Sequence, residues 1–475
     1  MYDRFFGAMR QILTIILGAI LVSLCGGNDG WGGQLEDLLL ENKQITIDQW
    51  VKLKSEEEKR EAKLQEENRG VGDVPLRERW YEKISVRGYT QFRYNYTTNN
   101  DLLKSPGDRS VGNNNEFFLR RARLIVSGQP HSRVFVYLQG EFAGLVNDQE
   151  GTMVLRDAYA DLFLTENKEW RIRAGQSKLP FGFETMQSSQ NRLAFDRNDA
   201  TFNAAKNERN LGVYLYYAPT AVRERFRRLV DSGLKGSGDY GMLGIGVFNG
   251  QDIDQQDANK NKHLIFHSMY PHEFSNGQIV EVGMDAYTGQ VVVSTTPVIP
   301  TNPLLTSGIP VSPLVTNNGN YLDERVAWHV VVFPQPFGFQ AEYTMGRGPQ
   351  LNAARTAVEL GSMHGGYVQL FYNYKCDTYC QSIFPYVRMQ EYFGGSKFVD
   401  NVPRSSVRET ELGLEYQFNR ALELTVAYTW SQRTSGDPAT LPSTCAFPQS
   451  QVTCAQTPYQ LQSANLIRFQ LQWSF

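Results

Sequence analysis

From Lys83 to the end of the chain, apolar and polar residues alternate in short stretches. The last stretch, Asn465 to Phe475 (NLIRFQLQWSF), is the clearest. Ile467, Phe469, Leu471, Trp473 and Phe475 are apolar, and Arg468, Gln470, Gln472 and Ser474 lie between them. A period of two marks a β-strand with one apolar and one wet face. Leu422, Leu424, Val426, Tyr428 and Trp430 repeat the pattern against Glu423, Thr425 and Thr429. Leu412, Leu414, Tyr416 and Phe418 do so against Glu409, Glu411, Glu415 and Gln417. About sixteen strands are expected, near 83–96, 115–128, 132–143, 152–163, 169–176, 210–218, 240–248, 262–270, 278–287, 324–333, 337–345, 363–374, 383–391, 405–418, 421–432 and 464–475. No segment of helical period interrupts them.

The connections segregate by parity. Those after even-numbered strands are mostly short: 129–131, 164–168, 271–277, 334–336, 375–382 and 419–420. Those after odd-numbered strands are mostly long: 97–114, 177–209, 249–261, 288–323, 346–362, 392–404 and 433–463. A transmembrane barrel starting in the periplasm predicts this split, with short periplasmic turns and long external loops. A β-sandwich does not. The chain's aromatic ending at Phe475 agrees, as a closing strand read by the barrel assembly machinery of a Gram-negative-type outer membrane. One connection breaks the rule: 219–239, containing RERFRRLVDSG, is long and basic where a short turn is expected.

Composition narrows this further. Mean hydropathy of −0.41 excludes a helical-bundle membrane protein but not a barrel, whose strands are half polar. The 24 Tyr and 27 Phe suffice for aromatic girdles facing outer-membrane lipid. A net charge of −3 and the lack of a nucleic-acid motif argue against a nucleic-acid partner. Residues 1–27 read as a signal peptide, with Arg4 and Arg10 ahead of the apolar run Ile12–Leu24. Cys25 raises a lipid-attached reading that Leu24 fits poorly. Residues 28–82 read as a periplasmic helical segment, capped near Thr46 and Gln49 and followed by the charged run SEEEKREAKLQEE. Residues 83–475 are then the barrel. Cys376 with Cys380, and Cys445 with Cys454, form two close pairs that suggest local disulfides in an exported chain. Their spacing without nearby histidine does not suggest a metal site, and no cofactor is implied.

Sixteen strands leave a water-filled lumen, whereas eight would be filled by side chains. With the apolar face toward lipid, Lys83, Ser85, Arg87, Tyr89, Gln91, Arg93 and Asn95 turn inward, as do Arg121, Arg123, Arg171 and Arg173. Arg120 falls on the lipid side, where a midplane arginine costs about 2–4 kcal/mol, so it must lie near an interface or the register must shift. Rings of arginine and lysine favour anions, but Glu141, Asp157, Asp161, Glu281, Asp285, Glu409, Glu411, Glu415 and Glu423 also turn inward and can neutralise the wall. The third long connection, 177–209, is the expected constriction. It carries Lys178, Arg192, Arg197, Lys206 and Arg209 against Glu184, Asp196, Asp199 and Glu208, a net of +1.

Three segments resemble the phosphate-selective porin O and P family: RGYTQFRYNY (87–96), FFLRRARLIVSG (117–128) and RAGQSKLPFGFETMQSS (173–189). NKQITIDQWVKL (42–53) is similar to that family's periplasmic segment, so the resemblance covers roughly 42–475. It implies an outer-membrane pore, a homotrimer, and small anionic solutes such as phosphate or polyphosphate. It further implies a ladder of Arg87, Arg93, Arg121, Arg123, Arg171 and Arg173 leading to Lys178, Arg192 and Arg197 at the constriction. The alternatives are a general porin without ion preference, an adhesive barrel using 288–323 and 433–463, and an enzymatic barrel. The last is disfavoured, since none of His131, His263, His267, His272, His329 and His364 sits in a nucleophile motif.

Overall fold

The alternating stretches become antiparallel strands in a computed structural model that describes residues 83–98, 116–143, 153–205, 209–251, 253, 256–295, 315–352, 356–376, 378–435 and 460–475. The expected signal peptide, the periplasmic helical segment and the Cys445–Cys454 pair lie outside the described residues. In chain order the strands are β1 (Ile84–Thr97), β2 (Glu116–His131), β3 (Val134–Glu141), β4 (Val154–Phe163), β5 (Trp170–Lys178), β6 (Arg209–Tyr217), β7 (Leu243–Phe248) and β8 (His263–Glu273). They continue as β9 (Ile279–Val292), β10 (Asn320–Val332), β11 (Phe337–Leu351), β12 (Val358–Tyr372), β13 (Ser382–Gly395), β14 (Arg404–Gln417), β15 (Leu422–Ser435) and β16 (Gln460–Ser474). Strand β12 resumes past Asn373 for two residues, Tyr374–Lys375.

Each strand pairs antiparallel with the next, and β1 pairs with β16 from Tyr89↔Ser474 to Thr97↔Leu466. The sheet is thereby a closed sixteen-strand barrel with no free edge. The Gly88 amide donates to the Phe475 carbonyl at 2.9 Å, and the Phe475 amide returns a bond at 3.0 Å. Among the described residues no helix is long and apolar enough to cross a membrane.

The pleat sorts the side chains as the alternation requires. Leu138, Leu155, Val213, Ile245, Leu264, Val282, Val330, Leu370 and Leu412 stand exposed on the outer face. Rings gather at the periplasmic strand ends, where Trp170 packs on Tyr217, Phe337 on Tyr372 and Tyr416 on Phe418, with centroids 4.6–4.9 Å apart. That is the girdle of a membrane barrel.

Three features depart from the sequence reading. First, β11, β12 and β13 run outward past their expected ends, so the external connections after β11 and β13 shrink to 352–357 and 396–403. Gly346, Gly361, Gly394 and Gly395 read as loop punctuation, yet they sit in these strands. A Cβ on Gly346 would lie 2.1 Å from the Glu324 carbonyl oxygen, so glycine is what lets the strands approach there. Second, a β-bulge between Gln91 and Phe92 on one side and Arg121 and Leu119 on the other absorbs one residue, Arg120. The bulge shifts the parity: the Arg120 Nε is buried and its charge acts on Arg93 inside the barrel. Third, the connection between β6 and β7 contains a helix, α3 (Thr220–Asp231), after two shorter ones in the β5–β6 loop, α1 (Phe183–Met186) and α2 (Asp199–Ala204).

Helix α3 is amphipathic. Val222, Phe226 and Leu229 are buried, while Arg227 and Arg228 face water. Phe226 and Val222 pack with Met186 of the β5–β6 loop and Met269 of β8. Leu229 and Leu234 pack with Phe183, Ile279, Val331 and Phe333. The basic periplasmic link is therefore a support under the β5–β6 loop.

Candidate functional site: the barrel lumen

The loop folds into the barrel over its described residues 179–205, burying Leu179, Phe181, Phe183, Met186, Leu193 and Phe195. Its polar anchors reach the far wall. The Gly182 amide donates to Asp285 Oδ2 at 2.7 Å, and the Glu184 amide donates to Glu342 Oε2 at 3.0 Å. Thr201 Oγ1 donates to Glu342 Oε1, and Tyr89 shares a hydrogen bond with Ser189.

Charge pairing within the loop is divided. Its carboxylates among the described residues go to wall arginines: Glu184 to Arg388 at 2.5 Å, Asp196 to Arg468 at 2.6 Å and Arg93 at 3.2 Å, and Asp199 to Arg433 at 3.1 Å. Lys178 at the end of β5 and two cations of the loop also bond the loop's own neutral carbonyls. Lys178 Nζ donates to Met186 O and Gln187 O at 3.0 and 2.7 Å. Arg192 donates to Ala194 O and Phe195 O, and Arg197 to Glu184 O and Gln187 O. Burial opposes ionisation of Glu184, but the Arg388 guanidinium outweighs it and holds that carboxyl down at about 2. Between loop and wall, a gap lined by Ala194, Asp196, Arg388, Gln390, Glu409, Glu411 and Arg468 measures only about 10 Å³.

The expected ladder residues all lie on the inner wall. Arg87 is exposed at the periplasmic mouth. Arg93 donates to Gln470 as well as Asp196, and Arg121 donates to Gln91 at 2.8 Å. Arg123 bonds Glu141 at 2.6 Å and also reaches Tyr89 and Ser189. Arg173 forks onto both oxygens of Asp161 at 2.7 and 2.8 Å. Arg171 meets Asp239 of the α3 link at 2.7 Å. Burial opposes the Asp239 charge, and Arg171 more than compensates, keeping its carboxyl well below the ordinary range.

Several lumenal groups escaped the sequence reading. Arg388 and Arg433 lie inward and buried; the period of two in 383–391 could have shown the first, while Arg433 fell in the expected connection 433–463. Lys235 enters the lumen from the α3 link to meet Glu415 across the barrel at 2.5 Å, and Lys397 from the 396–403 segment bonds Asp323. No local pattern marks those two. His267 bonds Asp285 at 2.6 Å, while His329 lies 3.4 Å from Glu281. Among the described residues no cluster of three or more His, Cys, Asp or Glu side chains is placed to hold a metal ion. Cys376 and Cys380, bonded to each other, have Cα atoms 5.3 Å apart in the turn after β12.

Below the loop a vestibule of about 440 Å³ opens toward the periplasm. Seven cations line it (Arg87, Arg123, Arg173, Lys178, Arg209, Lys235 and Arg420) against four carboxylates (Asp157, Asp231, Asp239 and Glu423). The rings of Tyr137, Tyr159 and Tyr240 complete its wall.

Residues 89–459 match the family model of phosphate-selective porin O and P. No curated protein matches the chain. Among solved structures it is similar to Salmonella typhi OmpF in complex with daunomycin, at 12% identity and a TM-score of 0.48, covering 82% of this chain and 97% of that one. It is similar to the outer membrane channel DcaP of Acinetobacter baumannii, at 12% identity and a TM-score of 0.45 over the same shares. It is also similar to an anion-selective porin from Comamonas acidovorans, at 10% identity and a TM-score of 0.44, covering 82% of this chain and 99% of that one.

Proposed function

Since the chain belongs to the phosphate-selective porin O and P family, a family of channels in the bacterial outer membrane, we propose that its channel favours small anions, phosphate and polyphosphate among them, and works as a homotrimer. It is a channel rather than an enzyme. The observation carrying the anion reading is the vestibule, with seven cations against four carboxylates directly below the constriction loop. The loop adds to it. Glu184, Asp196 and Asp199 are spent on wall arginines, while Arg192 bonds the neutral carbonyls of Ala194 and Phe195.

The test is the reversal potential of the purified protein in a planar bilayer under a KCl gradient. Anion preference gives a potential of the chloride sign, and inorganic phosphate then lowers the chloride current. Arg87 and Arg420 line the vestibule and have no ion-pair partner among the described residues, so their reversal to Glu is the sharpest variant. One unit charge at contact distance is worth about 1 kcal/mol in water, so each reversal lowers the anion-to-cation permeability ratio severalfold. A potential near zero, unmoved by either variant, would favour a general porin. The specific support for that second reading is the bonding of Arg93, Arg123, Arg171 and Arg173 to carboxylates on the wall, the loop and the link.

A further inference from the structure

The rings on the vestibule wall go beyond what an inorganic ion needs. Phe135, Tyr137 and Tyr159 point inward from β3 and β4 and form a column. The Phe135 and Tyr137 centroids are 6.5 Å apart, and Tyr137 and Tyr159 stack at 5.1 Å and 14°. The Arg173 guanidinium ends the column 3.9 Å from the Tyr159 centroid. A pore wall built only to pass hydrated ions gains nothing from large rings left half-buried, because they surrender the burial that would stabilise them. Tyr137 and Tyr159 are both in that position and both line the cavity. The Tyr137 hydroxyl is already committed to Gln139 Oε1 at 3.0 Å, so the apolar body of the ring is what it offers.

Arg87 supplies the complementary charge. It is exposed in the same cavity as Tyr137, and no carboxylate pairs with it among the described residues. A volume of about 440 Å³ lies in the range of small-molecule sites, and of the vestibule's seven cations Arg123, Arg173, Arg209 and Lys235 already pair with carboxylates while Arg87 does not. We propose that the vestibule is a binding subsite for aromatic monocarboxylates, the ring resting against Tyr137 and the carboxylate on Arg87. This rests on the anion-passing reading above and names the class of anion that the entrance retains.

Full-length protein in planar bilayers tests it, with sodium benzoate, sodium acetate and inorganic phosphate added in turn to the periplasmic side. An aromatic contact is worth about three- to tenfold in affinity, so benzoate reduces the chloride current at correspondingly lower concentration than acetate. Tyr137→Leu removes that difference, and Arg87→Gln weakens both organic acids together. Benzoate and acetate acting alike on an anion-selective wild-type channel overturn the proposal, and that comparison needs no variant to fold. A cation-selective reversal potential in the same membranes overturns the anion reading and this one with it. The two failures are therefore distinguishable.

Discussion

Glu184 accepts both nitrogens of the Arg388 fork, at 2.5 and 3.0 Å, and two more bonds from the amide and side chain of Asn198. Both partners are almost fully buried, so the pair holds only while it is complete. Glu184→Gln keeps the shape and removes the charge, leaving Arg388 against the Tyr367 ring at 4.2 Å as its remaining compensation. Breaking one side of a buried pair costs about 3–5 kcal/mol. The expected outcome is a loop that leaves β13, seen as larger and noisier single-channel steps; steps identical to wild type would refute the latch. Acid should reproduce the effect. The carboxyl titrates near 2 in the fold and at about 4.3 when unfolded. A carboxyl depressed by folding stabilises above its unfolded value and loses that contribution as pH falls through the folded one. Conductance should thus stay level from about pH 5 to 8 and grow noisy only as pH approaches about 2. A transition centred near neutrality would assign the latch to another group. At this scale the sequence was half legible. Counting loop charges predicts a near-neutral loop of net +1. It does not reveal that the acids face arginines contributed by β1, β13, β15 and β16, because those partners are 103 to 272 positions away.

Among the elements, helix α3 carries most of what the sequence left unexplained. Its motif RERFRRLVDSG reads as a basic link, but the apolar positions Val222, Phe226 and Leu229 fall three or four residues apart and form one buried stripe. That spacing was visible. Its partners, Met186 on the constriction loop and Met269 on β8, were not. Phe226→Ala should cost about 3–5 kcal/mol of local packing and loosen the loop from beneath. Limited trypsinolysis from the periplasmic side reads this out, since Arg223, Arg225, Arg227 and Arg228 sit on the same helix. Faster cleavage there with the barrel intact is expected, and wild-type cleavage rates would detach the helix from any supporting role. The strands show the opposite balance. All sixteen were legible from period two, because every strand in a closed barrel faces lipid on one side and the lumen on the other. Their external ends were not, because glycines that let β11–β13 approach one another look like turn residues in isolation. Arg120 marks the remaining limit, as one bulge residue inverts the inferred face of its neighbours.

For the whole molecule, closure decides the fold, and it depends on where β16 meets β1. The alternation of Ile467 to Phe475 was enough to mark that segment as a two-faced strand, and its register against β1 sets Arg93 opposite Gln470 and Asn95 opposite Arg468 on the inner face. The seam is finished at Gly88. Its amide and carbonyl exchange bonds with Phe475, and the Phe475 ring lies where a side chain would otherwise stand. A Cβ on Gly88 would be 2.5 Å from Phe475 Cζ and 2.5 Å from the Arg123 carbonyl oxygen. The ring can swing aside; the β2 backbone cannot. Gly88→Ala should therefore destabilise the seam by about 1–3 kcal/mol, lowering the temperature at which the folded barrel converts to the unfolded band on a denaturing gel. Phe475→Ala alone removes ring packing but keeps both backbone bonds, so it should shift that temperature less. The double variant separates the two contacts. If the ring is what obstructs the new methyl, Phe475→Ala rescues Gly88→Ala and the effects are strongly non-additive. If the Arg123 carbonyl is the obstacle, the double variant is at least as unstable as Gly88→Ala. The backbone argument predicts the second result, and a full rescue would show that the ring, not the β1–β2 backbone approach, is what requires glycine at the closing seam.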